Sequence, residues 1–308
     1  MHRTVQITVS PAQTDGLLQA LAAIEEVVGL TVQRGVSVKP PGDVLTVTTL
    51  NRGADKVLKA VQTANEQAPV SVVTAELASI SDPVHQAAIS QDYDQAIWEE
   101  METGLRHQGR ITVNFLVLMA LGGSIAAVGL VSEPGPQAVA FVASSVIAPG
   151  FEPVTKIPLG LVLRRWTVLK MGLSSLVAGY SVLIATAALT FLLLLQLGVT
   201  SVPEFASNPE IERLAHPGAK ELIFSSCGAL AGAIMVAAYR RIVIAGPLIA
   251  LVIVHAAALI GMGLVCGRFD LAGEGLERLG VDVGLIVGLG SLVFGLKQAL
   301  LHQRKSLV

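Results

Sequence analysis

Ile111–Val131 reads ITVNFLVLMALGGSIAAVGLV, without a single Asp, Glu, Lys or Arg. A helix needs about 20 mostly apolar residues to cross the hydrocarbon of a bilayer, and this run supplies them. The chain beyond it repeats the pattern. Gln137–Phe151, Met171–Gly198, Leu222–Ala238, Ile242–Val265 and Val283–Leu301 meet or approach the same length. Across 308 residues the chain is 52% hydrophobic and 14% charged, with a mean hydropathy of +0.66. A soluble domain has too little polar surface to cover that much apolar area. The expectation is an α-helical polytopic membrane protein of about six spans.

The first 110 residues are polar and contain no such stretch. The expected organisation is a soluble domain over 1–80, an acidic linker helix over 81–110, and a six-span membrane domain over 111–308 with a broken second span. The start, MHRTVQITVS, lacks the apolar core and small-residue cleavage site of a signal peptide. That reading keeps the head in the cytoplasm.

Charge placement agrees, because Lys and Arg gather in cytoplasmic loops near membrane segments. With the N-terminus inside, the inner ends hold Arg106, Arg110, Lys156, Arg164, Arg165, Lys170, Arg240, Arg241, Lys297, Arg304 and Lys305. The outer loops hold Arg213, Lys220, Arg268 and Arg278 among acidic residues: Glu133, Glu204, Glu210, Glu212, Asp270, Glu274, Glu277 and Asp282. An even number of spans with both termini inside follows, in a bacterial inner (plasma) membrane. The net charge of −2 argues against a nucleic-acid partner. Cys227 and Cys266 match no ligand spacing and read as apolar filler.

In the head, Thr4–Ser10 alternates Val5, Ile7 and Val9 with polar residues, a strand with one buried face. Pro11 opens a helix with Leu17, Leu21, Ile24 and Val28 on one stripe, ended by Gly29. Leu30–Val38 and Val44–Leu50 read as strands joined across Pro40-Pro41-Gly42. Asp55–Glu66 is a second helix and Val70–Glu76 a fourth strand. The order βαββαβ is the split, ferredoxin-like α+β pattern. Such a head either regulates or caps and assembles. From Ser81-Asp82-Pro83 an acidic helix is expected to about Gln108, with Asp92, Asp94, Glu99, Glu100 and Glu102 negative and Trp98 and Met101 on its apolar side. Its charge run reads as a solvated face or a cation-attracting vestibule.

The second span ends in Ser144-Ser145-Val146-Ile147-Ala148-Pro149-Gly150-Phe151-Glu152-Pro153. Proline removes a backbone donor, so Pro149 and Pro153 flanking Gly150 should break the helix. Broken backbone at membrane depth is tolerated where it is buried in protein or lines a wet cavity. Ser144, Ser145, Pro149, Glu152, Pro153 and Lys156 are therefore candidate pathway residues. Glu152 reads either as a ligand for a cation or as a salt-bridge partner of Lys156 at helical spacing. Asn114 and His255, polar positions inside apolar spans, read as helix-to-helix hydrogen-bonding groups or as pathway ligands.

Ile97-Trp98-Glu99-Glu100, Ile111–Leu130, and Val146-Ile147-Ala148-Pro149 with Pro153 resemble the bacterial integral membrane family called domain of unknown function 389. The resemblance implies a ferredoxin-like cytoplasmic head on a multi-span body, and no established activity. Its mark is an Ile/Leu-Ala/Ser-Pro break with a second proline four residues on. This chain places Gly150-Phe151-Glu152 between those prolines, and Tyr239-Arg240-Arg241 where a later pair of prolines is usual.

Ile244-Ala245-Gly246-Pro247 echoes Ile147-Ala148-Pro149-Gly150 and hints at an internal repeat, the pattern of a transporter site. Pro158–Lys170 reads as an interfacial segment on anionic lipid. Small residues in the first, fourth and sixth spans read as packing positions, within one subunit or between copies. The sequence carries no HExxH, no GxSxG and no metal-ligand cluster, so neither an enzyme nor a cofactor is expected. Two functions fit: a transporter or channel for a small solute or ion, or a membrane-embedded sensor or scaffold. The expected partners are the lipid bilayer, further copies of the chain and that solute or ion.

Overall fold

A computed structural model describes residues 2–92, 95–107, 109–238 and 242–301, the last from 253 onward with side chains; of Glu210 and Ala215 it describes the backbone alone. The chain divides into a unit that ends at Glu100 and a unit Met101–Leu301.

The first unit runs β1 (Arg3–Val9), α1 (Pro11–Ala22), β2 (Val27–Val38), β3 (Pro41–Thr49), α2 (Asn51–Gln67), β4 (Ser71–Glu76) and the short α3 (Gln86–Ser90). Its sheet has the order β2-β3-β1-β4, with every neighbouring pair antiparallel. The period-2 pattern decides the faces: Val5, Ile7 and Val9 are buried and Gln6 is exposed. They pack with Leu45 and Val47 of β3, Leu17 and Leu21 of α1, and Val57, Leu58 and Val61 of α2. Each such side chain contributes about 1.5–3 kcal/mol on burial.

Two readings of this unit are corrected. The first helix stops at Ala22, and Val28 and Gly29 lie inside β2, because the backbone of 27–29 pairs with Thr48 and Thr49 at the end of β3. The acidic helix over 81–108 does not form as one piece: α3 is five residues long and α4 (Trp98–His107) starts afresh. Its carboxylates have partners instead of a solvated face. Asp92 accepts from the backbone N–H groups of Asn51 (2.7 Å) and Arg52 (3.4 Å), the orphan donors at the start of α2, and meets His2 Nδ1 at 3.1 Å. Arg3, 1% exposed, donates through Nε and Nη2 to Glu100 at 2.8 Å each, through Nη2 to the Gln95 carbonyl, and through Nη1 to Asn51. Asp94 lies outside the described residues. Trp98 and Met101 are buried, as their apolar positions predict, while Glu102 is fully buried against Arg106 at 2.6 Å.

The second unit is helical: α5 (Val113–Leu130), α6 (Pro134–Ile147), α7 (Phe151–Val162), α8 (Trp166–Gln196), the short α9 (Val202–Ala206) and α10 (Pro209–Ala215), then α11 (Ala219–Ala237), α12 (Ile242–Val265) and α13 (Phe269–Leu300). Among the described residues, α5, α8, α11 and α13 are each long and apolar enough to cross a membrane, and the bent pair α6 and α7 would make a fifth. Close approach explains the glycines of α5: a Cβ on Gly123 would lie 2.4 Å from the Leu183 carbonyl oxygen of α8. Thr190 of α8 donates to Ser124 one residue further at 3.0 Å.

Three boundaries differ from the sequence reading. Pro158–Lys170 is not one element: 158–162 complete α7, Arg164 turns the chain at φ 54°, and Trp166 opens α8. The last helix begins at Phe269 instead of Val283, so Asp270, Glu274, Glu277, Arg278 and Asp282 belong to it rather than to a loop. Arg278 and Asp282, 3% exposed each, pair at 3.0 Å across one helical turn, which lets the helix run through their charges. The stretch 244–247 is continuous helix, so the hinted repeat has no second break there. Tyr239, Arg240, Arg241, Arg304 and Lys305 lie outside the described residues.

Candidate functional site

The break forms where the prolines predict it. Pro149 has no N–H to give, Ala148 turns extended (φ −76°, ψ 118°) after closing α6 onto the Ser144 carbonyl at 2.9 Å, and α6 and α7 meet at a 49° bend. Pro153 is the third residue of α7, where a missing N–H costs nothing. At the bend the Gly150 carbonyl accepts from the Tyr180 hydroxyl of α8 at 3.0 Å. A Cβ on Gly150 would sit 2.8 Å from that hydroxyl, so a larger residue there would displace it.

Ser144 and Ser145 are buried on the last turn of α6. Ser145 donates to the Val142 carbonyl at 2.8 Å. Ser144 donates to the Phe141 carbonyl at 2.9 Å, and its oxygen lies 3.1 Å from His255 Nε2 of α12. The imidazole stacks, tilted, on Phe141 with ring centres 3.7 Å apart. His255 thus joins α12 to α6 just before the break. Asn114 is not brought to this cluster: it is exposed on the first turn of α5.

On the far side of the break Lys156 is fully buried, and its Nζ donates to the Gly109 carbonyl at 2.8 Å. Gly109 adopts φ +59° in the turn before α5, and a Cβ there would meet Pro153 Cδ at 3.1 Å and Glu152 Cβ at 3.2 Å. That docking takes the ammonium to a carbonyl. The salt bridge from Glu152 to Lys156, allowed by spacing, does not form among the described residues. Glu152 Oε2 is buried without a hydrogen-bond partner.

Several residues of this region escaped the sequence reading. Tyr180 is a phenol inside an apolar span, a signal of the same kind that singled out Asn114 and His255. Arg278 and Asp282 carried an i, i+4 charge pair, hidden by their assignment to a loop. Arg278 Nη2 also donates to Ser225 of α11 at 2.7 Å. Lys297 Nζ donates to the Ala237 carbonyl at the end of α11.

At the opposite end of the second unit, where α5 gives way to α6 and α8 to α9, lies a cavity of about 620 Å³. Glu133, Gln137, Thr200 and Glu204 line it beside Val131 and Phe205. Among the described residues no group of three or more His, Cys, Asp or Glu side chains could hold a metal ion.

No curated protein and no solved structure matches this chain. A family model described as Domain of unknown function (DUF389) matches residues 145–288, from the last turn of α6 into α13. The match takes in the bend and the later helices, where the departures from the proline pattern lie. The similarity to that family thus covers residues 145–288, a little under half of the chain.

Proposed function

We propose that the helical unit is a transporter or channel for a small solute or ion, and that the head regulates or assembles it. The observation that carries this reading is the bend at 148–150 with the buried, unpartnered Glu152 Oε2 beside it. Ionisable groups at that depth are costly and tend to mark pathways. Glu152 offers carboxylate oxygens to a cation, with Ser144 and Ser145 eight and seven residues before it, on the other side of the bend.

The architecture read with it has six spans: α5, the bent pair α6 and α7, α8, α11, α12 and α13. Both termini then face the cytoplasm of a bacterial inner membrane. The sheet order β2-β3-β1-β4 with α1 and α2 supports a ferredoxin-like head. A Cβ on Gly284 or Gly288 of α13 would meet nothing within 4 Å among the described residues, which favours contact with a second copy. Cysteines placed at Ser207 and Gly273 should label from outside the cell and one at Lys59 should not; labelling of position 59 would overturn this topology.

The functional test is flux into liposomes across a panel of cations, anions and amino acids. Glu152→Gln keeps the shape and should abolish or reselect flux with an unchanged melting temperature. Full flux in that variant would remove Glu152 from the pathway. A second reading, a packed sensor or scaffold, is favoured by the partners already present: Tyr180 on Gly150, Lys156 on Gly109 and His255 on Ser144. It requires no flux for any solute of the panel.

A further inference from the structure

We infer that Asp282 is a proton-binding residue, ion-paired with Arg278 when deprotonated, and that it couples the proposed transport to a proton gradient. The coupling rests on the transport reading; proton binding at Asp282 does not.

Placement is the first argument. Asp282 is the one Asp, Glu, Lys or Arg in Leu279–Leu296 of α13. A Cβ on Gly263 of α12 would lie 2.8 Å from the Ala272 nitrogen, and one on Gly275 would lie 2.9 Å from the Ala256 carbonyl oxygen. The two helices therefore run antiparallel in close contact, and that register sets Val254 opposite the turn from Arg278 to Asp282. A Cβ on Gly150 would in turn lie 3.5 Å from Val254 Cγ2. The ion pair is thus level with the bend. Tyr180, which donates to the Gly150 carbonyl, is within reach of the charges of both Asp282 and Glu152.

The second argument is the state of the atoms. Arg278 Nε meets Asp282 Oδ2 at 3.0 Å, and Nη2 donates to Ser225 at 2.7 Å. Asp282 Oδ1 and Arg278 Nη1 are closed to solvent and have no hydrogen-bond partner. A buried pair so incomplete is a poor device for stability, because apolar residues of similar volume often do as well or better. Carboxylates inside membrane helices mark proton relays. Atoms closed to solvent admit a proton, which needs no cavity, before any solute. A metal ion would find no cluster of three ligands among the described residues.

Binding moves one proton. It forms an O–H bond on Asp282 Oδ1, the hydronium that gave it leaves as water, and the carboxylate becomes a neutral acid. Arg278 keeps its charge beside Ser225, and release reverses the step. The neighbouring elements add few other groups. Ser225 of α11 does not titrate, and Glu221 stands one turn before it. On α7, Lys156 is bonded to the Gly109 carbonyl and Glu152 acts on Tyr180. His255 of α12 meets Ser144, and His216, just past α10, lies 3.5 Å from Glu274, two turns before Asp282.

The experiment uses the full chain in liposomes. Infrared difference spectra on acidification should show the C=O band of a protonated carboxylic acid. Asp282→Glu should shift that band, and Asp282→Asn with Arg278→Gln should remove it. The double variant takes out both charges, so no buried guanidinium is left unpaired to unfold it. In the flux panel, an inward proton gradient of about tenfold should accumulate the carried solute by about the same factor at one proton per solute. The double variant should lose that accumulation. The inference is overturned if the wild type shows no acid band, if neither variant alters the band, or if the wild type carries a solute that the gradient fails to accumulate. An acid band at Asp282 with no flux for any solute would sink the transport reading, and the coupling with it, and leave the proton site standing. Flux without that band would do the reverse.

Discussion

Arg3 and Glu152 are both ionisable and both place polar atoms out of reach of solvent, and the two units treat them differently. In the head, Arg3 has four hydrogen bonds, to Glu100 twice, to Asn51 and to the Gln95 carbonyl. In the helical unit, Glu152 keeps an oxygen with no hydrogen-bond partner, and the lysine one turn away is bonded elsewhere. A saturated charge serves structure, since its partners would be stranded without it. An unsaturated one is what the proposed pathway would use. The head therefore uses its buried charge as a clamp, and the bend leaves one carboxylate oxygen unbonded.

That contrast breaks first at Arg3. Arg3→Met removes the guanidinium from the Glu100 carboxylate and should cost about 3–5 kcal/mol, read as destabilisation in denaturant and as lost hydrogen-exchange protection over 95–100. A cost under about 1 kcal/mol would make the clamp no stronger than a surface pair.

Gly109→Ala should come next. Its φ of +59° and the 3.1 Å approach to Pro153 together cost a residue with a Cβ about 1–3 kcal/mol. The loss should appear as a lower melting temperature of the helical unit. An unchanged melting temperature would show that the turn does not dock on the bend as tightly as Lys156 implies.

Tyr180→Phe removes the hydroxyl from the Gly150 carbonyl and should cost about 1 kcal/mol. Ser144→Ala, which removes the hydroxyl that lies 3.1 Å from His255 Nε2, should cost about 0.6–1.7 kcal/mol. Costs for either near that of Arg3→Met would mean that the bend, too, is a structural clamp, and would favour the scaffold reading.

The smallest effect is a pH dependence of the head. The Thr14 hydroxyl, and after it the Gly35 amide, hold the Asp43 carboxyl below its ordinary value of 3.8. A folded-state pKa below the unfolded one gives stability that is present above the unfolded value and lost as pH falls through the folded one. Head stability should thus drop as pH falls below about 4, and Asp43→Asn should flatten that part of the profile. An identical profile in the variant would remove Asp43 as the cause.

The alternation of Val5, Ile7 and Val9, the proline that opens α1, the apolar runs and the proline break at 149 were legible because each is local. Period and hydropathy act on neighbouring residues, and Pro149 removes its own donor wherever the chain goes. What those signals could not reach is the choice of partner. Spacing offered Lys156 to Glu152, but the fold brings the Gly109 carbonyl, 47 residues away in the chain, within 2.8 Å. Charge alone assigned Arg278 and Asp282 to a loop, and their mutual pairing against α11 keeps them in a helix. The acidic stretch after residue 81 looked solvated until Arg3 and the start of α2 claimed Glu100 and Asp92. A buried polar group takes whichever partner the packing of distant segments brings nearest, so its pairing is decided only in three dimensions.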